Sequence, residues 1–269
     1  RCPDSLEENI DRCMVKCRLP RRCLTLPTLA LLAERRVWAG VPSTTQLLNG
    51  TALEYLRITR DYTVDPKEQA FLLLGIMHHS QLEDKAKQLG LPSEIAMSAD
   101  RNIIDLLQLE PDGTFGIIDM KCWGSYRVAK ALGIVIISRK PLQFRLNPET
   151  ADLFEQEMQL NRYRLLLEES SLSPAYMALQ VIVRDADTYI ADSRGVTEKF
   201  YNIPIQQLPD EDVLVYFDRK ERQLLGALAG EVKVEMCTEY EHWGFTRCKK
   251  YCDVARFCPT GREQKGSRP

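Results

Sequence analysis

The chain has 269 residues, and its 36 Lys and Arg against 38 Asp and Glu give a net charge of −2. With 44% hydrophobic and 28% charged residues, its composition is ordinary for a globular protein and excludes disordered, collagen-like and coiled-coil proteins. The longest apolar stretches, residues 24–33 and 131–137, are far shorter than the ~18 residues of a membrane span, and no signal peptide is readable. We therefore expect an intracellular protein (cytoplasm, nucleoid or viral factory) that is not secreted and has no membrane partner.

The chain begins with four cysteines in the spacing C-x10-C-x3-C-x5-C, and its last four cysteines repeat that spacing: Cys2, Cys13, Cys17, Cys23, Cys237, Cys248, Cys252 and Cys258. Only Cys122 lies outside the two sets. Tight local spacing favours two four-thiolate sites for zinc or an iron–sulfur cluster, in modules at residues 1–30 and 236–269. Disulfides at each end are the alternative, although nine cysteines leave an odd thiol.

Positive charge is concentrated beside the cysteines. Residues 12–33 and residues 244–269 each sum to +5, whereas residues 34–243 sum to −9. Basic metal-bound ends can contact a phosphate backbone. The alternative is an ordinary solvated surface, which is the usual meaning of a run of charges.

Hydrophobic periodicity organises the middle of the chain. It predicts helices at residues 43–60, 67–89, 125–132, 148–169 and 210–229. Apolar, β-branched runs predict strands at residues 103–109, 115–121, 134–138 and 178–184, with a hairpin turn at Pro111-Asp112-Gly113. Helices around a small mixed sheet predict an α/β (or α+β) core at residues 31–235, flanked by the two cysteine modules.

The predicted hairpin brings three charged residues together. A three-residue loop with Gly113 in the left-handed region sets Asp105 opposite Asp119, and alternation places Lys121 on the same face. Such charges among apolar residues are costly unless they bind something. Paired carboxylates suit Mg²⁺ or Mn²⁺ beside a substrate phosphate, and a lysine can stabilise the developing charge. A solvent-facing edge with an ordinary Asp–Lys pair is an equally open reading of these three residues.

Two helices add candidate partners for this cluster. His78 and His79 follow Gly75, and one of them can face the sheet and bind the metal; an exposed or capping histidine is the alternative. Gln159 and Tyr163 are four residues apart and so share a helix face. Their amide and hydroxyl can hold a phosphate or the lysine, or they can be ordinary residues of a helix surface.

The order of these motifs resembles the RecB-type PD-(D/E)XK nucleases. A His after a Gly-led helix, an Asp, an Asp-x-Lys on the next strand and a Gln-x-x-x-Tyr on a helix are typical of that superfamily, which includes CRISPR-associated and phage exonucleases. The resemblance covers about residues 42–259 and implies a restriction-endonuclease-like core. It also implies site roles: metal ligands His79, Asp105, Asp119 and the Met120 carbonyl, a catalytic Lys121, and the helix pair Gln159 and Tyr163.

The resemblance extends to cofactors and partners. It implies Mg²⁺ or Mn²⁺ at the nuclease site and a [4Fe–4S] cluster or zinc at the cysteines. Cluster-bearing relatives usually take one cysteine from before the core and three from after it. Cys23 with Cys248, Cys252 and Cys258 is therefore an alternative to two local quartets, although the repeated spacing favours the quartets. The implied partners are single-stranded DNA or duplex ends, and proteins of a repair, recombination, replication or CRISPR complex.

This chain also departs from the family pattern. The Gly often found shortly before the first Asp is absent, and Cys122 follows Lys121 where Thr or Ser is common.

Trp123, Tyr126 and Trp243 can stack bases or lie in the core.

We expect a metal-dependent DNA nuclease that hydrolyses phosphodiester bonds, an exonuclease acting on single strands or ends, because all the expected catalytic residue types are present. The alternative is a catalytically silent nucleic-acid-binding or assembly protein whose cysteine modules are the working parts.

Overall fold

The computed structural model describes residues 8–34, 37–97 and 102–266. Contacts divide the described residues into two compact units. One unit comprises those of Arg1–Leu74 and Phe217–Pro269, and the other those of Gly75–Tyr216. Both cysteine-bearing ends therefore belong to the first unit, a grouping that differs from the three regions expected from the sequence.

The described residues form helices and two sheets. The helices are α1 Ile10–Val15, α2 Leu26–Ala33, α3 Thr44–Leu48, α4 Thr51–Thr59, α5 Ala70–Gln88, α6 Ser125–Ala131, α7 Phe154–Glu169, α8 Tyr189–Ser193, α9 Asp210–Ala229, α10 Glu239–His242, α11 Thr246–Lys250 and α12 Pro259–Gln264. Short 3₁₀ turns are Pro66–Gln69, Pro148–Thr150 and Ala255–Phe257. The strands are β1 Ser93–Met97, β2 Asn102–Leu109, β3 Phe115–Trp123, β4 Ile134–Arg139, β5 Leu142–Leu146, β6 Tyr176–Val183 and β7 Phe200–Ile205.

All seven of these strands lie in the second unit. Five of them form a mixed sheet of order β1-β2-β3-β6-β7, in which β3 and β6 are parallel and the other neighbours are antiparallel. Strands β4 and β5 form a separate antiparallel pair. A five-stranded mixed sheet with helices around it confirms the predicted α/β class.

The core of the second unit lies between the sheet and α7. Strand β6 alternates in burial along its length, and Leu179 and Val181 are completely buried. Leu160 and Leu167 of α7 belong to the same buried cluster. Because side chains alternate along a strand, β6 presents this apolar face to the helix without exposing it to water.

The β2–β3 hairpin has the predicted register. Glu110 N–H donates to the Thr114 carbonyl at 2.9 Å, and Gly113 takes the left-handed conformation with φ +86°. Leu106 pairs with Ile118, so the next facing position in the same register places Asp105 against Asp119. The turn type therefore determines which carboxylates meet.

Several element boundaries differ from the expectation. The helix predicted at residues 43–60 is two helices, because Asn49 and Gly50 are extended and end one helix before the next begins. The helix predicted from residue 148 starts as a 3₁₀ turn, and α7 begins at Phe154. Strands β1, β5 and β7 were not predicted.

The first unit is helical and has a small hydrophobic core. Leu53 and Leu56 of α4 pack with Val254 and Cys258. A buried ion pair joins Lys220 Nζ to the Glu241 carboxylate at 2.7 Å. No helix in the described part of the chain is both long and apolar enough to cross a bilayer.

Candidate active site

Two carboxylates and one lysine meet on one face of the sheet in the second unit. Lys121 Nζ lies 2.6 Å from Asp119 Oδ2, and the two side chains are 23% and 3% exposed. Asp105 Oδ2 accepts a hydrogen bond from Met120 N–H at 2.8 Å. The predicted convergence of Asp105, Asp119 and Lys121 is thus present in the structure, and it is not a solvent-facing edge.

The electrostatics of this cluster are strongly perturbed. Burial, and then the charge of Asp119, raise the pKa of Asp105 to about 6. Burial of Lys121 lowers its pKa, but the charges of Asp119 and Asp105 outweigh burial and leave that pKa raised. Lys121 is therefore an ammonium at neutral pH, and the two carboxylates compete for the positive charge of one side chain.

Two further side chains extend the cluster toward a metal site. His79 Nδ1 on α5 lies 3.6 Å from Asp105 Oδ2. Ligand atoms of His79, Glu94 and Asp105 all lie within 4.8 Å of one another. Glu94, on β1, was not a predicted site residue. It has φ +48°, a strained conformation for a residue with a side chain, and such strain is concentrated at functional sites.

The helix pair on α7 faces the same cluster. Gln159 Nε2 donates to Asp119 Oδ1 at 3.2 Å and lies 3.3 Å from the Tyr163 hydroxyl. Burial raises the pKa of Tyr163 to about 12, so its hydroxyl stays protonated. Gln159 and Tyr163 therefore lie on one face as expected, and the amide orients the central carboxylate.

The donor set fits a hard divalent cation. Asp119 Oδ2 is buried and forms an ion pair with the Lys121 ammonium at 2.6 Å. A metal ion that binds Asp119 would therefore compete with this lysine, whereas His79, Glu94 and Asp105 form the group whose ligand atoms converge. Carboxylate oxygens suit Mg²⁺ or Mn²⁺, whereas an imidazole is more typical of Zn²⁺ or Fe²⁺. The Met120 N–H donates to Asp105, and the role of the Met120 carbonyl as a metal ligand stays a prediction.

The second histidine of the pair has a different environment. His78 Nδ1 is buried without a hydrogen-bond partner, and its ring lies edge-on to His79 with centroids 6.0 Å apart. Burial, and then the neighbouring His79, lower the pKa of His78. His78 is therefore held neutral, and His79 is the member of the pair that reaches the carboxylates.

The four C-terminal cysteines line a single cavity in the first unit, together with Leu53, Leu56 and Val254: Cys237, Cys248, Cys252 and Cys258. Burial raises the pKa of Cys237 to about 11. A Cβ on Gly50 would lie 2.4 Å from Cys237 Sγ, so any side chain at residue 50 would displace this thiol. Among the described residues, no three cysteine sulfurs lie within 4.8 Å of one another.

The N-terminal cysteines are described in part. Burial raises the pKa of Cys13, and the neighbouring Cys17 and Cys23 raise it further. The Arg22 guanidinium donates to the carbonyls of Cys13 and Met14 at 2.8 Å each. Cys2, the fourth predicted ligand, lies outside the described residues.

The aromatic residues considered for base stacking are partly accessible. The Arg127 guanidinium lies 4.9 Å from the centre of the Trp123 ring. Tyr126 is 61% exposed, and Trp243 is 46% exposed with the Arg247 guanidinium 5.1 Å from its ring. None of these aromatic residues has a fully buried side chain.

Comparisons with known proteins give a structural likeness. No protein-family model matches the chain, and no curated protein matches it in sequence. The solved structure described as "Crystal structure of SSO0001" superimposes with a TM-score of 0.49 and 14% sequence identity, covering 87% of this chain and 92% of that one. At this similarity the likeness says nothing about activity.

Proposed function

We propose that the protein is a metal-dependent nuclease that hydrolyses DNA phosphodiester bonds, acting as an exonuclease on single strands or DNA ends. The observation that carries the proposal is the buried cluster of Asp105, Asp119 and Lys121, with Gln159 hydrogen-bonded to Asp119. Opposed carboxylates with an ammonium 2.6 Å from one of them are expensive to bury, and such perturbed charge clusters are concentrated at functional sites. The order of these residues resembles the RecB-type PD-(D/E)XK nucleases.

Each side chain has a role in this reaction. His79, Glu94 and Asp105, whose ligand atoms lie within 4.8 Å of one another, would hold Mg²⁺ or Mn²⁺, and Asp119 is the further ligand that the resemblance implies. The ion would supply Lewis-acid activation of the phosphate and of the attacking water. The Lys121 ammonium stabilises the negative charge that develops on the phosphate oxygens. Gln159 orients the Asp119 carboxylate through its 3.2 Å hydrogen bond and lies beside the protonated Tyr163 hydroxyl.

We further propose that the C-terminal cysteines hold a metal group. Four thiols lining one cavity are the ligand set of zinc or a [4Fe–4S] cluster. Around one zinc ion, with Zn–S of ~2.3 Å, the sulfurs would lie roughly 3.8 Å apart. No three cysteine sulfurs among the described residues lie within 4.8 Å of one another, so zinc binding would draw them together, and metal analysis decides between zinc and the cluster. The N-terminal module with Cys13, Cys17 and Cys23 is proposed as a second metal site.

The nuclease proposal is tested with the full chain and labelled single-stranded and duplex DNA in Mg²⁺ or Mn²⁺. We expect cutting that Asp119→Ala and Lys121→Ala reduce at least 100-fold. Asp192→Ala, which changes an exposed aspartate of α8, is the matched control and should cut like the wild type. Intact DNA under every metal would refute the proposal, and equal cutting by the site variants would refute the site.

A second candidate function depends on the cysteine cavity alone, because that cavity belongs to one unit and the carboxylate cluster belongs to the other. A protein that binds nucleic acid or assembles with partners through its cysteine modules needs no turnover. DNA binding without cutting, lost when Cys248 and Cys252 are replaced by serine, would favour this function. The partners expected in either case are proteins of a repair, recombination, replication or CRISPR complex.

A further inference from the structure

Strands β4 and β5 form a two-stranded hairpin that is separate from the main sheet, and we call residues 134–146 the basic hairpin. Every residue of β5 is exposed. Arg139, Lys140 and Arg145 carry three positive charges, and the segment contains no Asp or Glu. An isolated two-stranded sheet is marginally stable in water, so a charged and exposed one needs another reason to persist.

The three cations of the basic hairpin have no charge partner. Within the described part of the chain, no ion pair or hydrogen bond involves the side chains of Arg139, Lys140 or Arg145. Most other basic side chains of this unit are neutralised: Lys87 by Glu83, Lys121 by Asp119, Lys130 by Asp152, Arg164 by Asp210, Arg194 by Asp185 and Lys199 by Asp187. The hairpin is therefore where this unit concentrates unneutralised positive charge.

The remainder of the unit is acidic. Residues 75–216 contain 21 Asp and Glu against 14 Lys and Arg. A polyanion approaching the carboxylate site meets net repulsion unless a local positive surface offsets it. The basic hairpin is such a surface, and it belongs to the unit that holds the site.

The base of the hairpin is rigidly attached. Gly133 has φ +62°, and the Asn147 carbonyl oxygen lies 2.1 Å from where a Cβ would be. Asn147 N–H donates to the Gly133 carbonyl at 2.8 Å, which closes the base. Phe144 and Ile134 pack against Gly195, where no Cβ would fit without a shift. Because side chains alternate along β5, Arg145 points away from the face that Phe144 packs.

We propose that the basic hairpin binds the phosphodiester backbone of the nucleic acid that the carboxylate site cuts. This inference rests on the proposed function and names an element that holds its substrate. Arg139 and Lys140 lie at the turn, where Arg139 pairs with Leu142 and shares the face of Phe144, whereas Arg145 lies on the opposite face, so the charges flank the ribbon on both sides. Charge on an exposed ribbon recognises phosphates without reading sequence.

Binding is measured with the full chain, without divalent metal, on a fluorescent 20-nucleotide single strand and on its duplex. The test variant is Arg139→Gln/Lys140→Gln/Arg145→Gln. The control, Lys85→Gln/Lys87→Gln/Lys199→Gln, removes three exposed charges elsewhere in the unit. For the single strand at ~0.1 M salt, we expect the hairpin variant to bind about 100-fold more weakly, with a log K against log salt slope smaller by about 2. The control should lose less than about threefold.

The outcomes separate this inference from the proposed function. A hairpin variant that binds DNA with wild-type affinity and slope overturns the inference, whether or not the wild type cuts. An equal loss in the control variant overturns it as well. If the variant instead loses binding to phosphatidylserine vesicles while DNA binding is unchanged, the partner is a membrane and the inference is wrong. Weakened DNA binding with a wild type that never cuts supports the hairpin and refutes the nuclease.

Discussion

Replacing Asp105 by Asn should stabilise the metal-free protein, although it removes a proposed metal ligand. Asp105 is buried beside Asp119, and these two causes raise its pKa from 3.8 to about 6. The ionised carboxylate is therefore less favourable in the folded protein than in the unfolded chain. Asn keeps an oxygen that can accept the hydrogen bond from Met120 N–H, so the substitution removes charge and preserves the contact.

The magnitude follows from linkage. The difference between 3.8 and about 6 corresponds to a ceiling of about 3 kcal/mol, at ~1.36 kcal/mol per pKa unit. Because Asp119 and Lys121 share the same charge balance, we expect a gain of about 1–3 kcal/mol in the free energy of unfolding at pH 8. Between pH 4 and 6 the folded wild type holds a proton on Asp105 that the unfolded chain releases. Wild-type stability therefore falls as pH rises through this range.

Urea unfolding in the presence of a chelator, at pH 5 and pH 8, measures the effect. The advantage of Asp105→Asn should be larger at pH 8 than at pH 5. Asp112→Asn is the control, because hydrogen bonds from Thr114 lower the pKa of Asp112, and its loss should give no stabilisation at either pH. A variant no more stable than the wild type at pH 8, or an advantage that does not change with pH, would refute the electrostatic argument.

Two other substitutions test the first unit. Gly50→Ala places a carbon 2.4 Å from Cys237 Sγ, and we expect metal analysis to show a clear drop in bound iron or zinc. Gly75→Ala is the control, because there is open space around its Cβ, and it should leave the metal content unchanged. Lys220→Met leaves the Glu241 carboxylate buried without its cation, and we expect a loss of about 3 kcal/mol in urea unfolding at pH 7. Burial raises the pKa of Glu241, but Lys220 outweighs it and leaves that pKa lowered, so the loss should shrink in acid. Equal stability of Lys220→Met and the wild type at pH 7 would contradict this.

Local sequence patterns were sufficient to predict the hairpin that carries the site. The turn at Gly113 and strict alternation along β2 and β3 determine which side chains face each other, and neither depends on the rest of the chain. Helix α9 has its predicted bounds because a long amphipathic stretch shows its own period. The pair Gln159 and Tyr163 on α7 was also predictable from the sequence, since residues four apart share a helix face wherever the helix packs.

Features that depend on long-range packing were not predictable. Strand β7 carries Pro204, which argues against a strand unless it lies at an edge, and only the sheet order shows that it does. Glu94 lies on a five-residue strand with no pronounced alternation, so its approach to His79 leaves no trace in spacing. Cys237 reaches its cavity because Gly50 has no side chain. Cysteine spacing carries no information about such a gap.

Any cation that enters the cluster and binds Asp119 must compete with the ammonium of Lys121. An internal ammonium already supplies one positive charge at 2.6 Å from the buried carboxylate oxygen. A sodium or potassium ion would bring no more charge than the ammonium it displaces, and it would also lose its own water. A divalent ion brings twice the charge to the carboxylates, although it also gives up more hydration free energy. The lysine therefore competes with every incoming cation for Asp119, and a monovalent ion has no advantage of charge over it.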